Sequence, residues 1–163
     1  MQVLVSDTSV LIDLERAGLH EWVFRLGHRF VIPDLTYSEE LADREGPAWC
    51  ARGLEVVELN SEEAATAQQH FATLDTISLA DAFAFSLAWH RNWILLTGDR
   101  ALRALAEKHE VNCHGLLWLV ELTIADRQGV TLIADGLVSL MAHPRCRLPR
   151  RETLALIERL QRK

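Results

Sequence analysis

Cysteine is scarce and dispersed: Cys50, Cys113 and Cys146 stand far apart and form no CxxC pair. That excludes a thiolate zinc site or dithiol redox centre of the usual spacing, and it suits reduced thiols in a cytoplasmic protein. The seven histidines form neither HxH nor HExxH, which removes the common zinc-hydrolase pattern. GxGxxG and GxxxxGK[ST] are both absent, so no glycine loop of the kind that cradles phosphates is present. No site made of Ser, His and Asp, or of Cys and His, is visible. No apolar run approaches the roughly 18 residues that span a bilayer. The longest, Gly115 to Val120, is broken by Glu121. The opening MQVLVSDTS lacks a basic region and reaches an acid within one strand length, so no signal peptide is expected. Positive charge is also in short supply, with a formal net charge of −6. That argues against binding nucleic acid mainly through a broad basic surface. It leaves room for an enzyme whose acids gather in one metal pocket, where the ions reverse the local sign.

What the chain does have is a core. Its 163 residues are 49% hydrophobic and only 25% charged, enough for one ordinary folded domain. No internal repeat appears, and no linker rich in Gly, Pro or Ser divides it. We expect a single domain over 1–163, with a core of about 1–122 and a helical C-terminal extension of about 123–163.

Short apolar runs alternate with helical patterns through the first two thirds. QVLVS, RFVIP, LEVVEL, WILL and a weaker VNCHG read as strands. DTSVLIDLERAG carries Val10, Leu11 and Leu14 at helical spacing and stops on Gly18. HEWVFRLG reads as a short second helix. DLTYSEELADREGP reads as a helix with Asp34 as N-cap and Gly46-Pro47 as its end. SEEAATAQQHFATL opens on a capping-type Ser61. SLADAFAFSLAWHRN and DRALRALAEKHE follow, and then LLWLVELTIADRQG, ended by Gly129. TLIADGLVSLMAHP, ended by Pro144, and RRETLALIERLQRK complete the tail. The strands are apolar without polar alternation, so the fold class expected is α/β: a parallel sheet with helices on both faces.

In such a sheet ligands sit at the carboxyl ends of the strands. Asp7 follows QVLVS directly, and Asp99 follows WILLTG. If those two strands are neighbours, both carboxylates face one crevice. Each also precedes a helix, where capping alone accounts for an aspartate at about 1 kcal/mol. Asp81 in SLAD fits a capping box with Ser78. The helix behind it is apolar nearly all round and therefore buried, so an acid at its end needs a partner, and a cation would serve. Glu39 and Glu40 are adjacent on their helix, and helical phase alone does not tell which turns inward. Convergent Asp and Glu residues without His or Cys select hard cations, Mg²⁺ or Mn²⁺.

VSDTSVLIDL, EEL, SLADAFAFSLAW and ILLTGDRAL occur in that order, and the layout resembles PIN-domain proteins over residues 1–120. It is similar to the VapC-type toxins of bacterial toxin–antitoxin pairs. The resemblance implies a parallel sheet of about five strands and a metal-dependent nuclease that binds Mg²⁺ or Mn²⁺, with single-stranded RNA as substrate and hydrolysis of the two-metal type. Its catalytic and metal-binding acids fall on Asp7, Glu40, Asp81 and Asp99, with Glu39 an alternative for the second. Supporting hydroxyls fall on Thr8 or Ser9 and on Thr97. Arg100 and Arg103 lie beside the last acid, where they could contact phosphate or simply form a solvated helix face. A small antitoxin protein is an implied partner. A PIN nuclease of RNA processing or DNA-flap cleavage, and a PIN-like module that only binds, are the other readings. Trp118, Leu119, Leu132, Leu137 and Leu140 either build a homodimer interface or close the sheet's own core.

Overall fold

In the computed structural model, which describes residues 1–124 and 130–162, five parallel strands form one sheet. They are β1 (Val3–Ser6), β2 (Arg29–Pro33), β3 (Leu54–Val57), β4 (Ile94–Leu96) and β5 (Cys113–His114), in the order β3-β2-β1-β4-β5. Leu4 pairs with Phe30 on one side of β1 and with Ile94 on the other. The helices are α1 (Thr8–Arg16), α2 (His20–Val23), α3 (Asp34–Thr36), α4 (Gly46–Arg52), α5 (Ser61–Thr73), α6 (Leu79–Arg91), α7 (Arg100–Lys108), α8 (Leu116–Ile124), α9 (Val130–Ala142) and α10 (Arg150–Gln161).

Successive strand side chains point to opposite faces, and that alternation divides the core in two. Leu4, Phe30, Ile32, Ile94 and Leu96 face one layer, where they meet Leu11 and Leu14 of α1 and Leu119 of α8. Leu137 and Leu140 of α9 and Leu156 and Leu160 of α10 join the same layer. Val5, Val31 and Leu95 face the other, against Ala82 and Phe85 of α6 and Leu102 and Leu105 of α7. The expected α/β sheet with helices on both faces is therefore present. Leu119, Leu137 and Leu140 are fully buried in this core, whereas Trp118 is half-buried and Leu132 exposed.

Four local expectations need correction. Asp34 is not an N-cap: Pro33 occupies that position and makes no side-chain cap bond, so Asp34 is already inside the helix. Asn60, not Ser61, caps α5, accepting from Glu63 N at 2.9 Å while the Glu63 carboxylate accepts from Asn60 N at 2.8 Å. Gly46-Pro47 does not end a helix but opens α4, with proline in the first turn where no backbone N–H is needed. A β-carbon at Gly46 would lie 2.5 Å from the Leu41 carbonyl oxygen, so only glycine fits against the preceding turn. That turn, Tyr37–Leu41, is a wide π turn rather than an α helix, and Ala42 N bonds five residues back to Tyr37 O at 2.8 Å. The extra residue shifts the phase of every side chain that follows. The stop assigned to Gly129 lies outside the described residues.

α5 and α6 are clamped by charge as well as by packing. Arg91 Nε and Nη2 donate to the two Glu63 carboxylate oxygens at 2.7 and 2.9 Å, and Ser86 Oγ donates to the Glu63 carbonyl at 2.6 Å. The guanidinium hydrogen bonds hold the buried Glu63 carboxyl below its usual range. α9 seats on α1 through Gly136, where a β-carbon would lie 2.3 Å from the Ala17 carbonyl oxygen.

Candidate active site

β1 and β4 are neighbours. Strands run outward from β1 to β3 on one side and from β4 to β5 on the other, so the β1–β4 boundary is the topological switch point of the sheet. Open parallel sheets hold their ligands there. Each of the two strands delivers an aspartate to that crevice.

Asp7 N donates to Leu96 O at 3.0 Å, tying the end of β1 to β4. Asp7 Oδ1 accepts from Val10 N at 3.0 Å and from Ser9 Oγ at 2.7 Å, and so caps α1. Asp7 Oδ2 accepts a very short hydrogen bond from the Thr97 hydroxyl. The same Thr97 oxygen accepts from Asp99 N at 2.9 Å. Asp99 Oδ1 in turn accepts from Leu102 N at 2.9 Å and caps α7. The fully buried Thr97 thus joins the two strand-end acids into one hydrogen-bonded unit. Its carbonyl is held from the other side by Arg103 Nη2 at 3.0 Å.

Asp81 enters from α6. Its Oδ2 accepts from Ser78 N at 2.9 Å, and Ser78 Oγ accepts from Asp81 N at 3.0 Å, the capping box expected from SLAD. Glu40 arrives from the π turn, where its Oε2 accepts a very short hydrogen bond from the Thr8 hydroxyl. Glu39, one residue earlier, is exposed, whereas Glu40 is half-buried. Arg100 is exposed at the start of α7.

Asp7 is only 5% exposed. Burial pushes its carboxyl up to about 6, against the lowering effect of the Thr97, Val10 and Ser9 hydrogen bonds. The neighbouring charge that acts on it is another carboxylate, Asp81, which raises it further. A buried carboxylate facing like charge is stabilised by protonation or by a cation. Asp81 Oδ1, Asp99 Oδ2 and Glu40 Oε1 accept no hydrogen bond from the described residues, Asp99 Oδ2 meeting only a guanidinium at 4.0 Å, so the open ligand atoms are all oxygen, the set a hard divalent ion takes. Among the described residues, no three acidic, histidine or cysteine side chains close around one point tightly enough to hold an ion as they stand. What ties the acids together is Thr97 between Asp7 and Asp99, the charge of Asp81 on Asp7, and Thr8, next to Asp7 in the chain, on Glu40.

Cations missing from the sequence expectation stand at its mouth. The segment between α9 and α10 returns Arg145 and Arg147 to the site, and Arg147 Nη1 lies 4.0 Å from Asp99 Oδ2. With Ser9, Asp13, Arg16 and Gly98 they line a hollow of about 200 Å³. The signal was available in PRCRLP: two arginines on a stretch that its prolines mark as a loop.

The five-stranded parallel sheet with helices on both faces is a PIN-like fold. The chain belongs to the PIN-domain family: the DUF3368 model, described as a PIN domain, matches residues 3–162. This is a nuclease-like fold family whose members are typically divalent-metal dependent. A solved PilT N-terminus domain protein from the hyperthermophilic archaeon Sulfolobus solfataricus P2 is similar in fold. It superposes with a TM-score of 0.56 at 17% identity, covering 76% of this chain and 93% of that one. A comparison with curated proteins finds no significant match.

Proposed function

We propose that this chain is a metal-dependent endoribonuclease that cleaves single-stranded RNA with Mg²⁺ or Mn²⁺, and that residues 1–163 act as one domain. The observation that carries the reading is Asp7: a buried carboxylate at the switch point, linked through Thr97 to Asp99 and facing Asp81. Asp7, Glu40, Asp81 and Asp99 would hold the ion or ions. When bound, a divalent ion supplies an activated water and neutralises charge on the phosphodiester. The protein's part is orientation. Thr97 fixes Asp7 Oδ2 and the start of α7 together. Thr8 draws Glu40 toward α1, and Ser9 holds Asp7 Oδ1. Asp7 would hold an ion through its ionised carboxylate, and burial keeps that carboxyl up at about 6, so metal affinity should fall in acid. Arg100 is free to meet substrate phosphate, while Arg103 positions Thr97. The products expected are a 5′-phosphate and a 3′-hydroxyl.

Asp7→Asn and Asp99→Asn keep shape and capping. Each should cut Mn²⁺-dependent cleavage of single-stranded RNA at least a hundredfold. If both variants still cleave at the wild-type rate, the assignment fails. Flapped DNA and structured RNA in the same assay separate the RNA-processing and flap-cleaving alternatives. A toxin role predicts growth arrest on expression alone, relieved by a small co-expressed antitoxin-type partner.

A second reading, a PIN-like module that binds without catalysis, is favoured by two observations. Asp7 and Asp99 cap helices and Asp81 completes a capping box with Ser78, and the acids among the described residues do not enclose a point. Calorimetry with Mn²⁺ at neutral pH decides: absence of binding supports the module.

A further inference from the structure

Beside the acids lies a second, larger hollow of about 370 Å³, within the range of small-ligand sites. Leu116, Leu117 and Trp118 at the start of α8 form one wall, and Leu148 and Pro149 ahead of α10 another. Arg100, Arg103 and Arg147 also line it, Arg103 being held on the Thr97 carbonyl, and Asp13 of α1 contributes the one carboxylate. The wall that carries Trp118 is braced, because its indole stacks on the His114 ring with centroids 4.1 Å apart and planes 7° from parallel. The hollow is joined to the acid crevice: Gly98, between Thr97 and Asp99, lines it, and so does Arg147, which reaches Asp99.

We infer that this hollow is a nucleotide subsite, holding one unpaired base of the RNA strand next to the scissile phosphate, with preference for a base that carries an amino group. The inference rests on the nuclease reading above and adds to it where the substrate lies and which base it presents. Three features converge on that occupant. The apolar walls and a rigid indole suit the face of a base, since single-stranded recognition works by stacking on aromatic rings. Three guanidiniums lining this hollow, in a chain of net charge −6, reverse the local sign where a phosphodiester would run. Arg147 is 78% exposed and its contact with Asp99 is long, so it exchanges that weak ion pair for phosphate at little cost. Asp13 Oδ1 accepts from Arg16 Nη1 at 3.4 Å, which leaves Oδ2 as the open acceptor. It can accept from the amino group of adenine, cytosine or guanine, whereas uracil offers only an N3–H flanked by two carbonyl oxygens that a carboxylate repels.

The test is binding of labelled single-stranded hexaribonucleotides to the full chain in EDTA, followed by anisotropy. An alternating adenosine–cytidine hexamer is compared with hexauridine. The wild type should bind the first more tightly. Trp118→Leu should weaken binding about tenfold, and Arg147→Gln should weaken both oligomers alike and flatten the salt dependence. Asp13→Asn should erase the preference. Thermal midpoints of all three variants are measured alongside, and Trp118→Phe should restore most of the affinity if stacking is the cause. Unchanged affinity in Trp118→Leu and Arg147→Gln overturns the subsite. Adding Mn²⁺ keeps the two readings apart. Oligomer binding that depends on these residues but without cleavage leaves the subsite standing and sinks the nuclease. Cleavage with an unaltered KM in both variants does the reverse.

Discussion

Asp7→Asn should stabilise the metal-free protein at alkaline pH and lose that advantage in acid. In the folded chain burial moves the Asp7 carboxyl from 3.8 to about 6. A shift of about two units corresponds to about 3 kcal/mol that the ionised group takes from stability. The sign follows from proton linkage. Between about pH 4 and 6 the native state binds more protons than the unfolded chain, so stability falls as pH rises through that window and stays low above it. Asparagine removes the buried charge and keeps the cap, because its oxygen can still accept from Val10 N and Ser9 Oγ. Its amide group, however, must donate to Thr97 where the carboxylate accepted, which strands the Thr97 hydroxyl at a cost of about 1 kcal/mol. The net expectation is a gain of about 2 kcal/mol at pH 8 in EDTA, shrinking to nothing or reversing by pH 4.5. Urea unfolding followed by far-UV circular dichroism at pH 4.5, 6 and 8 measures it. The difference between wild type and variant cancels the other titrating groups. Mn²⁺ at a hundredfold over its dissociation constant should then return about 2.7 kcal/mol to the wild type alone. A variant less stable than wild type at pH 8 in EDTA, or a difference that does not change with pH, would refute the reasoning.

Thr97→Val removes the hydroxyl that joins Asp7 to Asp99 N. The Asp7 carboxyl should titrate higher still, and Mn²⁺ affinity at pH 7 should drop about tenfold by calorimetry. Glu40→Gln should weaken Mn²⁺ binding, whereas Glu39→Gln, at an exposed position, should leave the isotherm unchanged. Gly136→Ala puts a methyl on the Ala17 carbonyl and should cost about 1–3 kcal/mol in urea unfolding. Arg91→Ala leaves the buried Glu63 unpaired. Discounted for the partial exposure of the arginine, it should cost about 2 kcal/mol at pH 7, with less loss in acid where Glu63 protonates.

Much was legible because it is local. Capping boxes span three residues, so SLAD announced both Asp81 and the start of its helix correctly. Apolar runs without alternation announced strands covered on both sides. The failures are equally physical. Asn60 and Ser61 are both good caps, and which one caps depends on where the chain leaves β3. Tyr37–Leu41 winds as a π turn, so a phase counted at the α period misplaces its side chains and cannot choose between Glu39 and Glu40. Only the fold brings the hydroxyl of Thr8, 32 residues away, onto Glu40, which supports Glu40 in the proposed site.

By itself, then, the sequence determined the five strands and the aspartates that follow β1 and β4, because strand pattern and helix capping are set by neighbours within a few residues. Only the tertiary structure decided that β1 lies beside β4, that Thr97 bonds Asp7 across 90 residues, and that Arg147 returns to Asp99. Strand order and loop return depend on which faces bury together, and that information is spread over two core layers rather than written in any one stretch.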